Sequence, residues 1–460
     1  MIPTTHESLK EGGGGSLIAA AQTAQAAQTA AQTVAQTAGA PPVPAPPAPV
    51  KAPLPSGPAT RAVAPSAVVV TRRPQPSVRR TRLVKKVRAN RVTLRRLDLT
   101  LLGLALALSL IGAMLVWSAT RGRLLAADDD PNVFLTKHML NLVLGLALGW
   151  VVTRFDYRTL RAYTPVVYGF VICTLLVVVS PFGTTANGTN AWIQLPMGFT
   201  LQPAEFAKIT VILSMAMVLS ERDVGRDMPA HSDVRHALMW AAGPVFLIML
   251  QPDLGTVIII GSIIIGIIAA SNAPARWVIG LFAAVALLAA GATILGVLDQ
   301  YQQDRLLSFI DPGHDPQGSG YNTAQARIAI GGGGLIGQGL FHGHQTQGAF
   351  VPYQQTDFVF SVAAEELGLL GAGVVIALVG VVVWRGIRIA RHARDPFGRL
   401  VATGVVCWLT FQAFENIGMN LGIMPVTGVP LPFVSYGGTS MFAAWIGIGL
   451  LQSVHLRSRE

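Results

Sequence analysis

Uncharged apolar runs long enough to cross a lipid bilayer recur along this 460-residue chain. The run Trp277–Leu298 is one of them, and a helix that crosses about 30 Å of hydrocarbon needs roughly 20 such residues. Only 12% of the residues are charged, about half the fraction usual for soluble domains. The ten-residue alternation of transmembrane β-barrels is not repeated, so helices are the expected way to satisfy the backbone in lipid. We predict an all-α polytopic membrane protein.

About ten transmembrane helices are expected after residue 98, with a large connection at 299–361 between helices 7 and 8. A connection of this length is usually functional or disordered, and its glycines and charged residues favour function. The expected spans are 99–118, 134–153, 162–181, 203–219, 236–252, 255–271, 277–298, 362–384, 399–418 and 438–455.

The N-terminal tail, residues 1–96, differs in composition from the membrane domain, 97–460. It contains an Ala/Gln/Thr repeat, a Pro-rich stretch and the basic run "RRTRLVKKVRANRVTLRR". These compositions cannot bury a core, so we predict a disordered or partly helical, non-catalytic tail without a cleaved signal peptide. Both cysteines lie inside apolar runs, which argues against a disulfide framework.

The positive charge of the chain is concentrated before the first span. Residues 1–98 hold 14 Lys/Arg against 3 Asp/Glu, a net +11, and the remaining chain holds 20 of each. This pattern favours a cytoplasmic anchor on anionic membrane lipid over nucleic-acid binding. The loops after the second and eighth spans are also rich in arginine, so the positive-inside rule predicts that both termini are cytoplasmic and that 299–361 lies outside.

Two motifs place ionisable residues beside membrane spans. In "QPAEFAK", Glu205 and Lys208 are three residues apart and share one helix face, where they can pair with each other. Ionisable groups at membrane depth usually face a bundle interior or a wet cavity, which favours ligand handling over a purely structural pair. In "QPDLGT", Asp253 either contributes to a site or only caps the following helix.

Two further patterns carry weaker signals. The segment "PVTGVPLPFVSYGGTS" indicates an outer re-entrant segment bordering a site. Its Ser435 has no Asp–His–Ser arrangement to make it a nucleophile, so a structural turn is the favoured interpretation there. The pair His342 and His344 falls short of a strong zinc signature.

The acids of "TDFVFSVAAEELG" are the strongest candidates for chemistry. Asp357 precedes the eighth span, and neighbouring Phe358 and Phe360 are expected to exclude water, raise the pKa of the carboxylate and make it a better general base. The alternative is that Asp357 caps the eighth helix and that Glu365 and Glu366 bond only within it.

Six collinear motifs together resemble the SEDS family of peptidoglycan glycosyltransferases (RodA, FtsW and SpoVE). The resemblance covers nearly all of residues 98–455, and the stretch "QTQGAFVPYQQTDFVF" is more similar to the elongation branch, RodA, than to the division branch, FtsW. The motifs are "GTNAWI", "QPAEFAK", "QPDLGT", "RLLSFIDPGHDPQGSGYNTAQARIAIGGGGLIGQGL", "PYQQTDFVFSVAAEELG" and "GIMPVTGVPLPFVSYGGTS".

The resemblance implies a role for individual residues of this sequence. Asp357 matches the essential catalytic carboxylate of the family's "TDF" motif. The positions implied in substrate binding are Arg305, Lys208, Glu205, Trp192, Gln325 and Ser435. Glu365, Glu366 and Asp253 are implied as supporting acids.

The resemblance also implies an activity. The implied substrate is lipid II, which such an enzyme would polymerise into glycan strands at the outer face of the bacterial cytoplasmic membrane for elongation and shape. Asp357 would deprotonate the acceptor sugar hydroxyl, while Arg305 and Lys208 would stabilise the leaving pyrophosphate, directly or through Mg²⁺ or Mn²⁺. No organic cofactor is expected, and a class B penicillin-binding protein, the cross-linking transpeptidase, is the implied partner. An FtsW-like division polymerase, a lipid II transporter and a scaffold for wall enzymes are the alternatives.

Overall fold

The computed structural model describes residues 96–180, 183–186, 189–194, 200–221, 228–294 and 318–458, together with 303, 305, 307 and 309. All of these belong to one compact unit, Lys85–Glu460. The tail predicted for residues 1–96 lies outside the described residues, apart from Arg96.

Helices account for most of the described residues. In chain order they are α1 (Leu99–Ala126), α2 (Val133–Arg154), α3 (Tyr157–Val179), α4 (Pro203–Ser220), α5 (His231–Met249), α6 (Leu254–Ala270), α7 (Ala275–Ile294), α8 (Ser319–Gly332), α9 (His344–Gln347), α10 (Val359–Arg391), α11 (Pro396–Leu421) and α12 (Gly438–Ser458).

Each of the ten expected spans overlaps one of these helices, and α8 and α9 lie within the connection at 299–361. Among the described residues, seven helices are long and apolar enough to cross a membrane by length and composition. These are α1, α2, α3, α4, α10, α11 and α12, and shorter apolar helices occur at Leu254–Ala270 and Ala275–Leu288. The number of spans stays a prediction.

A small antiparallel sheet, which the sequence patterns did not predict, connects α3 to α4. Its strands are β1 (Thr184–Ala186), β2 (Thr189–Gln194) and β3 (Thr200–Leu201), in the order β1–β2–β3. Strands β1 and β3 are too short to show a period-two pattern, and β2, with the sequence "TNAWIQ", does not alternate. The sheet carries Trp192, which pairs with Thr184 in the register of β1 and β2.

Helix α10 is broken near its start, at Gly368, where φ is +71° and ψ is −173°. At the break the glycine-rich segment 333–339 lies against the helix backbone, and the amide of Leu369 donates to the Gly334 carbonyl. A Cβ on Gly337 would lie 2.2 Å from the Glu366 carbonyl oxygen, so only glycine permits this approach. The glycines of "GGGGLIGQG" therefore allow close packing between two parts of the backbone.

Ion pairs join the helix ends that lie opposite the start of α10. Asp98 caps α1 by accepting a hydrogen bond from the Leu101 amide, and its other oxygen lies 2.5 Å from Arg385 Nη2 near the far end of α10. Arg457 of α12 pairs with Asp156 at a distance of 3.2 Å. These contacts bring together the arginine-rich segments that are predicted to be cytoplasmic.

Small residues let α2 and α12 pack closely. Gly145 and Gly149 are one turn apart on α2, and a Cβ on Gly149 would lie 2.7 Å from the Trp445 carbonyl oxygen. On α12, a Cβ on Gly449 would lie 2.5 Å from the Gly149 carbonyl oxygen. Close backbone approach through small residues is a common source of helix association in lipid.

We predict that Gly149→Ala destabilises the fold. The added methyl would meet backbone atoms of α12, and such overpacking typically costs about 1–3 kcal/mol. The melting temperature of the detergent-purified variant should fall below that of the wild type.

Gly169→Ala is the matched control, because no atom lies within 4 Å of the Cβ position there. Its melting temperature should not fall. Equal melting temperatures for the Gly149 variant and the wild type would contradict close packing of α2 on α12.

Candidate active site

A cleft opens at the end of the bundle where α4, α6, α10 and α12 begin. It encloses about 870 Å³, including its open mouth. Five predicted site residues line it, namely Trp192, Glu205, Asp253, Arg305 and Asp357. Polar residues that the sequence analysis did not single out line it too, namely Gln202, Thr256, Thr356, Thr427, Tyr436, Thr439 and Ser440.

Two buried amides of α11 hold the backbone at Asp357. Asn416 Nδ2 and Asn420 Nδ2 both donate to the Asp357 carbonyl oxygen, at 2.8 and 3.1 Å. Asn420 Oδ1 also accepts from the Ser361 amide in the first turn of α10. These bonds fix the main chain on both sides of Phe358. The Asp357 side chain lines the cleft.

The environment of Asp357 favours its neutral form. Burial raises the pKa of this carboxyl group from 3.8 to about 6, because desolvation disfavours the charged state. The positive charge of Arg305 and a hydrogen bond from Thr356 oppose this shift, whereas the negative charge of Asp253 adds to it. A carboxylate with this pKa is ionised at neutral pH and is a stronger base than an exposed aspartate.

The side chains of Asp357 and Arg305 both lie close to Gly428. A Cβ built on this glycine would be 3.5 Å from Asp357 Oδ2 and 3.8 Å from both terminal nitrogens of Arg305. Gly428 has φ +74°, a conformation that favours glycine. The turn thus approaches the carboxylate and the guanidinium without separating them by a side chain.

Asp253 both caps a helix and lines the cleft, so the two interpretations of this residue are compatible. Its Oδ1 accepts from the Thr256 amide at the start of α6, and its Oδ2 accepts from the Thr256 hydroxyl. Gln202 Nε2 lies 3.3 Å from the same Oδ2 atom. These contacts fix a negative charge near Asp357.

Glu205 and Lys208 form the predicted pair, with Nζ 2.9 Å from Glu205 Oε1. Lys208 is completely buried, donates to Gln412 Oε1 and lies over the Trp408 ring. Lys208 does not line the cleft, which argues against direct contact with a leaving group. Glu205 does line it, and within the described residues no donor reaches its Oε2 atom.

Ser435 and Gln325 are not among the residues that line the cleft. The Ser435 hydroxyl donates to the Thr356 carbonyl at 2.5 Å and accepts from the Leu431 amide. This arrangement agrees with a structural turn and argues against a direct role in substrate binding. Gln325 is half-buried on α8, outside the cleft.

Glu365 and Glu366 hold the connection before α10 rather than bonding only within the helix. Glu365 accepts from the amides of Gln345 and Thr346, and Glu366 accepts from the Phe341 amide. Phe358 is the N-cap of α10 and no side chain caps it, so Asp357 does not act as a helix cap. The two glutamates therefore hold the chain that precedes α10, and neither lines the cleft.

The described residues do not supply a metal site of their own. Over the part of the chain that the structure describes, no three His, Cys, Asp or Glu side chains are grouped closely enough to hold a metal ion. His342 Nδ1 instead lies 2.7 Å from the Leu340 carbonyl oxygen.

The sequence analysis missed the two asparagines that position Asp357. A signal was present, because Asn416 and Asn420 are four residues apart on one helix face, and polar side chains in membrane spans usually face the bundle interior. The packing of α11 against α10, which the sequence does not specify, was needed to show their partner.

Comparison with known proteins gives a consistent assignment. The family model FTSW_RODA_SPOVE, described as "Cell cycle protein", matches residues 98–460. A probable peptidoglycan glycosyltransferase FtsW of Geobacter metallireducens is 36% identical, with 79% of this chain and 96% of the relative covered. The peptidoglycan glycosyltransferase MrdB of Escherichia coli K12 is 38% identical, with 78% and 93% covered.

A solved structure supports the same assignment and confirms the predicted helical membrane fold. It comes from work on the structural coordination of polymerization and crosslinking by a peptidoglycan synthase complex. The TM-score is 0.66 at 30% identity, with 79% of this chain and 99% of the other covered. The family expected from the six motifs is confirmed: the chain belongs to the FtsW/RodA/SpoVE family of multi-pass membrane proteins.

Proposed function

We propose that this chain polymerises lipid II into glycan strands at the outer face of the cytoplasmic membrane. The observation that carries the proposal is the pairing of a half-buried acid, Asp357, with Arg305 in one cleft at one end of a helical bundle. The family includes relatives named peptidoglycan glycosyltransferase, and the cleft provides the base and the cation that such a reaction uses.

The proposed step is a single displacement at a sugar carbon. Asp357 accepts the proton of the acceptor's N-acetylglucosamine 4-hydroxyl, and that oxygen forms a bond to C1 of the donor's N-acetylmuramic acid. The bond between C1 and the pyrophosphate oxygen breaks, so undecaprenyl pyrophosphate leaves with the electron pair. Arg305 stabilises the negative charge that develops on the leaving group.

The position of the cleft suits a substrate with a membrane-bound tail. A polyprenyl chain has to stay in hydrocarbon, whereas the sugars and the phosphates need a polar surface. The cleft lies where helices begin, so it can admit the polar part while the tail remains beside the bundle. The arginine-rich segments at the other end support an outer location by the positive-inside rule.

A transporter of lipid II is the alternative function. A carrier is expected to place its substrate site near the bilayer midplane. In this chain Asp253 and Asp357 lie just outside α6 and α10, and Glu205 lies in the first turn of α4. Charged residues at helix ends rather than at the bilayer midplane favour a polymerase over a transporter. They also favour a polymerase over a scaffold, because a scaffold needs no acid in a cleft.

We propose the elongation branch over the division branch. The support is the stretch "QTQGAFVPYQQTDFVF", because the identities of 38% to MrdB and 36% to FtsW do not separate the two branches. Depletion in the source organism distinguishes them. Loss of rod shape supports the elongation role, and filaments that fail to divide would support the division role.

A class B penicillin-binding protein is the proposed partner, supported by the similarity to a structure from a peptidoglycan synthase complex. A requirement for Mg²⁺ or Mn²⁺ stays a prediction. Assays with purified lipid II, with and without this partner and EDTA, test both proposals.

We predict that Asp357→Asn abolishes glycan-strand formation from purified lipid II. The amide keeps the shape of the side chain but cannot accept the proton, and loss of a general base typically lowers a rate by about 10²–10⁴-fold. Gel analysis of the strands made from labelled lipid II measures the effect.

Asp130→Asn is the control, since this exposed residue follows α1 outside the cleft. It should polymerise lipid II at the wild-type rate. Wild-type activity of the Asp357 variant, purified in folded form, would refute the assignment of the base.

We predict that polymerisation falls as the pH is lowered through about 6. The pKa of Asp357 is raised to about 6, so the carboxylate is the main form above this pH and the inactive acid is the main form below it. The rate should fall roughly tenfold per pH unit on the acid side.

The Asp253→Asn variant tests the cause of the raised pKa. Removing this negative charge should move the acid limb of the pH profile to lower pH, because Asp253 raises the pKa of Asp357. The assignment of Asp357 as the base would be contradicted if the acid limb of the pH–rate profile were unchanged in this variant. It would also be contradicted if the wild-type rate did not change between pH 5 and pH 7.

A further inference from the structure

A second, smaller pocket shares Arg305 with the cleft. It is a shallow groove, open to solvent, between α8 and the turn that follows α11. Arg305, Phe309, Thr323, Arg327 and Gly422 contribute to its lining. The site described above does not use this pocket, and the sequence analysis did not select Arg327.

The pocket is positively charged. Two arginines line it, and no Asp or Glu is among the lining residues that the structure describes. Arg327 is exposed, and no carboxylate in the described parts of the chain forms an ion pair with it. Guanidinium groups bind phosphate oxygens through paired N–H donors, so two of them beside one cavity are suited to a diphosphate.

Gly422 gives the pocket its shape. It ends α11 in the left-handed conformation, with φ +74°. A Cβ there would lie 3.2 Å from Arg327 Cδ and 3.4 Å from Thr323 Cγ2. The turn therefore reaches α8 closely, and the stem of Arg327 packs against it, which restricts the positions available to the guanidinium.

Exposed apolar side chains adjoin the lining residues of this pocket in the chain, and Phe309 is itself one of the lining residues. Leu421 and Ile423 flank Gly422 in the chain, with 39% and 57% of their surfaces exposed. Ile328, next to Arg327, is 53% exposed, and Phe309 is 42% exposed. A soluble anion needs no such apolar rim, whereas an amphiphile with a phosphorylated head and a hydrocarbon tail matches both parts.

Arg305 connects the pocket to the reacting centre. Its terminal nitrogens and Asp357 Oδ2 lie within 4 Å of the same point, the Cβ position of Gly428. A diphosphate that contacts Arg327 on one side and Arg305 on the other is therefore adjacent to the cleft where the sugar bond breaks.

We infer that this pocket binds the diphosphate of a polyprenyl-linked substrate between Arg305 and Arg327. The hydrocarbon tail of that substrate would then extend past Ile423 and Ile328. The inference deepens the proposed function and rests on it, because it locates the leaving group of the donor. Arg327 acts as a binding residue, and Asp357 remains the base.

Binding of farnesyl diphosphate, a short analogue, tests the site without catalysis. The titration uses the purified full chain in detergent, with farnesol and inorganic pyrophosphate as comparison ligands. We expect farnesyl diphosphate to bind more tightly than either, and Arg327→Gln to weaken its binding by about tenfold or more, as loss of a charge-assisted contact implies. Arg327→Lys should recover part of the affinity.

Arg235→Gln is the matched control, because this exposed arginine lies near the start of α5, at the end of that helix away from the cleft. Its affinity should equal that of the wild type. Equal binding by the Arg327→Gln variant and the wild type would overturn the site. Equal affinities for farnesol and farnesyl diphosphate would overturn the charge argument, and equal affinities for pyrophosphate and farnesyl diphosphate would overturn the lipid-linked occupant.

Polymerisation assays separate this inference from the proposed function. In a polymerising wild type, Arg327→Gln should raise the KM for lipid II about tenfold while the acid limb of the pH profile stays in place. If the Arg327→Gln variant keeps both its KM for lipid II and its affinity for farnesyl diphosphate, the proposed diphosphate pocket is wrong, but the proposed polymerase activity still stands. If the wild type does not polymerise lipid II but binds farnesyl diphosphate in a way that depends on Arg327, the proposed function is wrong and the proposed pocket still stands.

Discussion

The balance of forces on the Asp357 carboxylate is the constraint on which the rest of this account depends. Burial raises its pKa, and the neighbouring Arg305 limits that rise, so the group is basic and still ionised at neutral pH. Without the burial the carboxylate would be a weak base, and without the arginine it would be protonated more readily. Both conditions are met in the cleft at one end of the bundle.

Much of the membrane domain serves to hold this one segment in place. Asn416 and Asn420 of α11 donate hydrogen bonds to the Asp357 carbonyl oxygen. Ser435, in the turn before α12, donates a hydrogen bond to the carbonyl oxygen of Thr356, the residue before Asp357. The break at Gly368 allows the glycine-rich segment to pack on α10, while Glu365 and Glu366 hold the connection beside it. A rigid support of this kind favours accurate placement of a catalytic group.

The sequence predicted the helices well because apolar runs in lipid have few alternatives. It also predicted five of the residues that line the cleft. Glu205, Asp253 and Asp357 were predicted as acids beside membrane spans, where a charge is costly unless it is used, and Trp192 and Arg305 were implied by the family resemblance. It did not predict the small sheet at Trp192 or the break at Gly368, because both depend on contacts between distant parts of the chain. For the same reason the burial of Lys208 and the structural hydrogen bonds of Ser435 appeared only in three dimensions.

The central claim is that the acceptor sugar hydroxyl meets the carboxylate of Asp357 inside this cleft. A cryo-EM structure of the catalytically silenced Asp357→Asn protein with lipid II bound tests it most directly. The account predicts the N-acetylglucosamine 4-hydroxyl within hydrogen-bond distance of residue 357, beside Arg305. A structure with the sugar bound elsewhere, and residue 357 sealed from it by protein, would contradict the account.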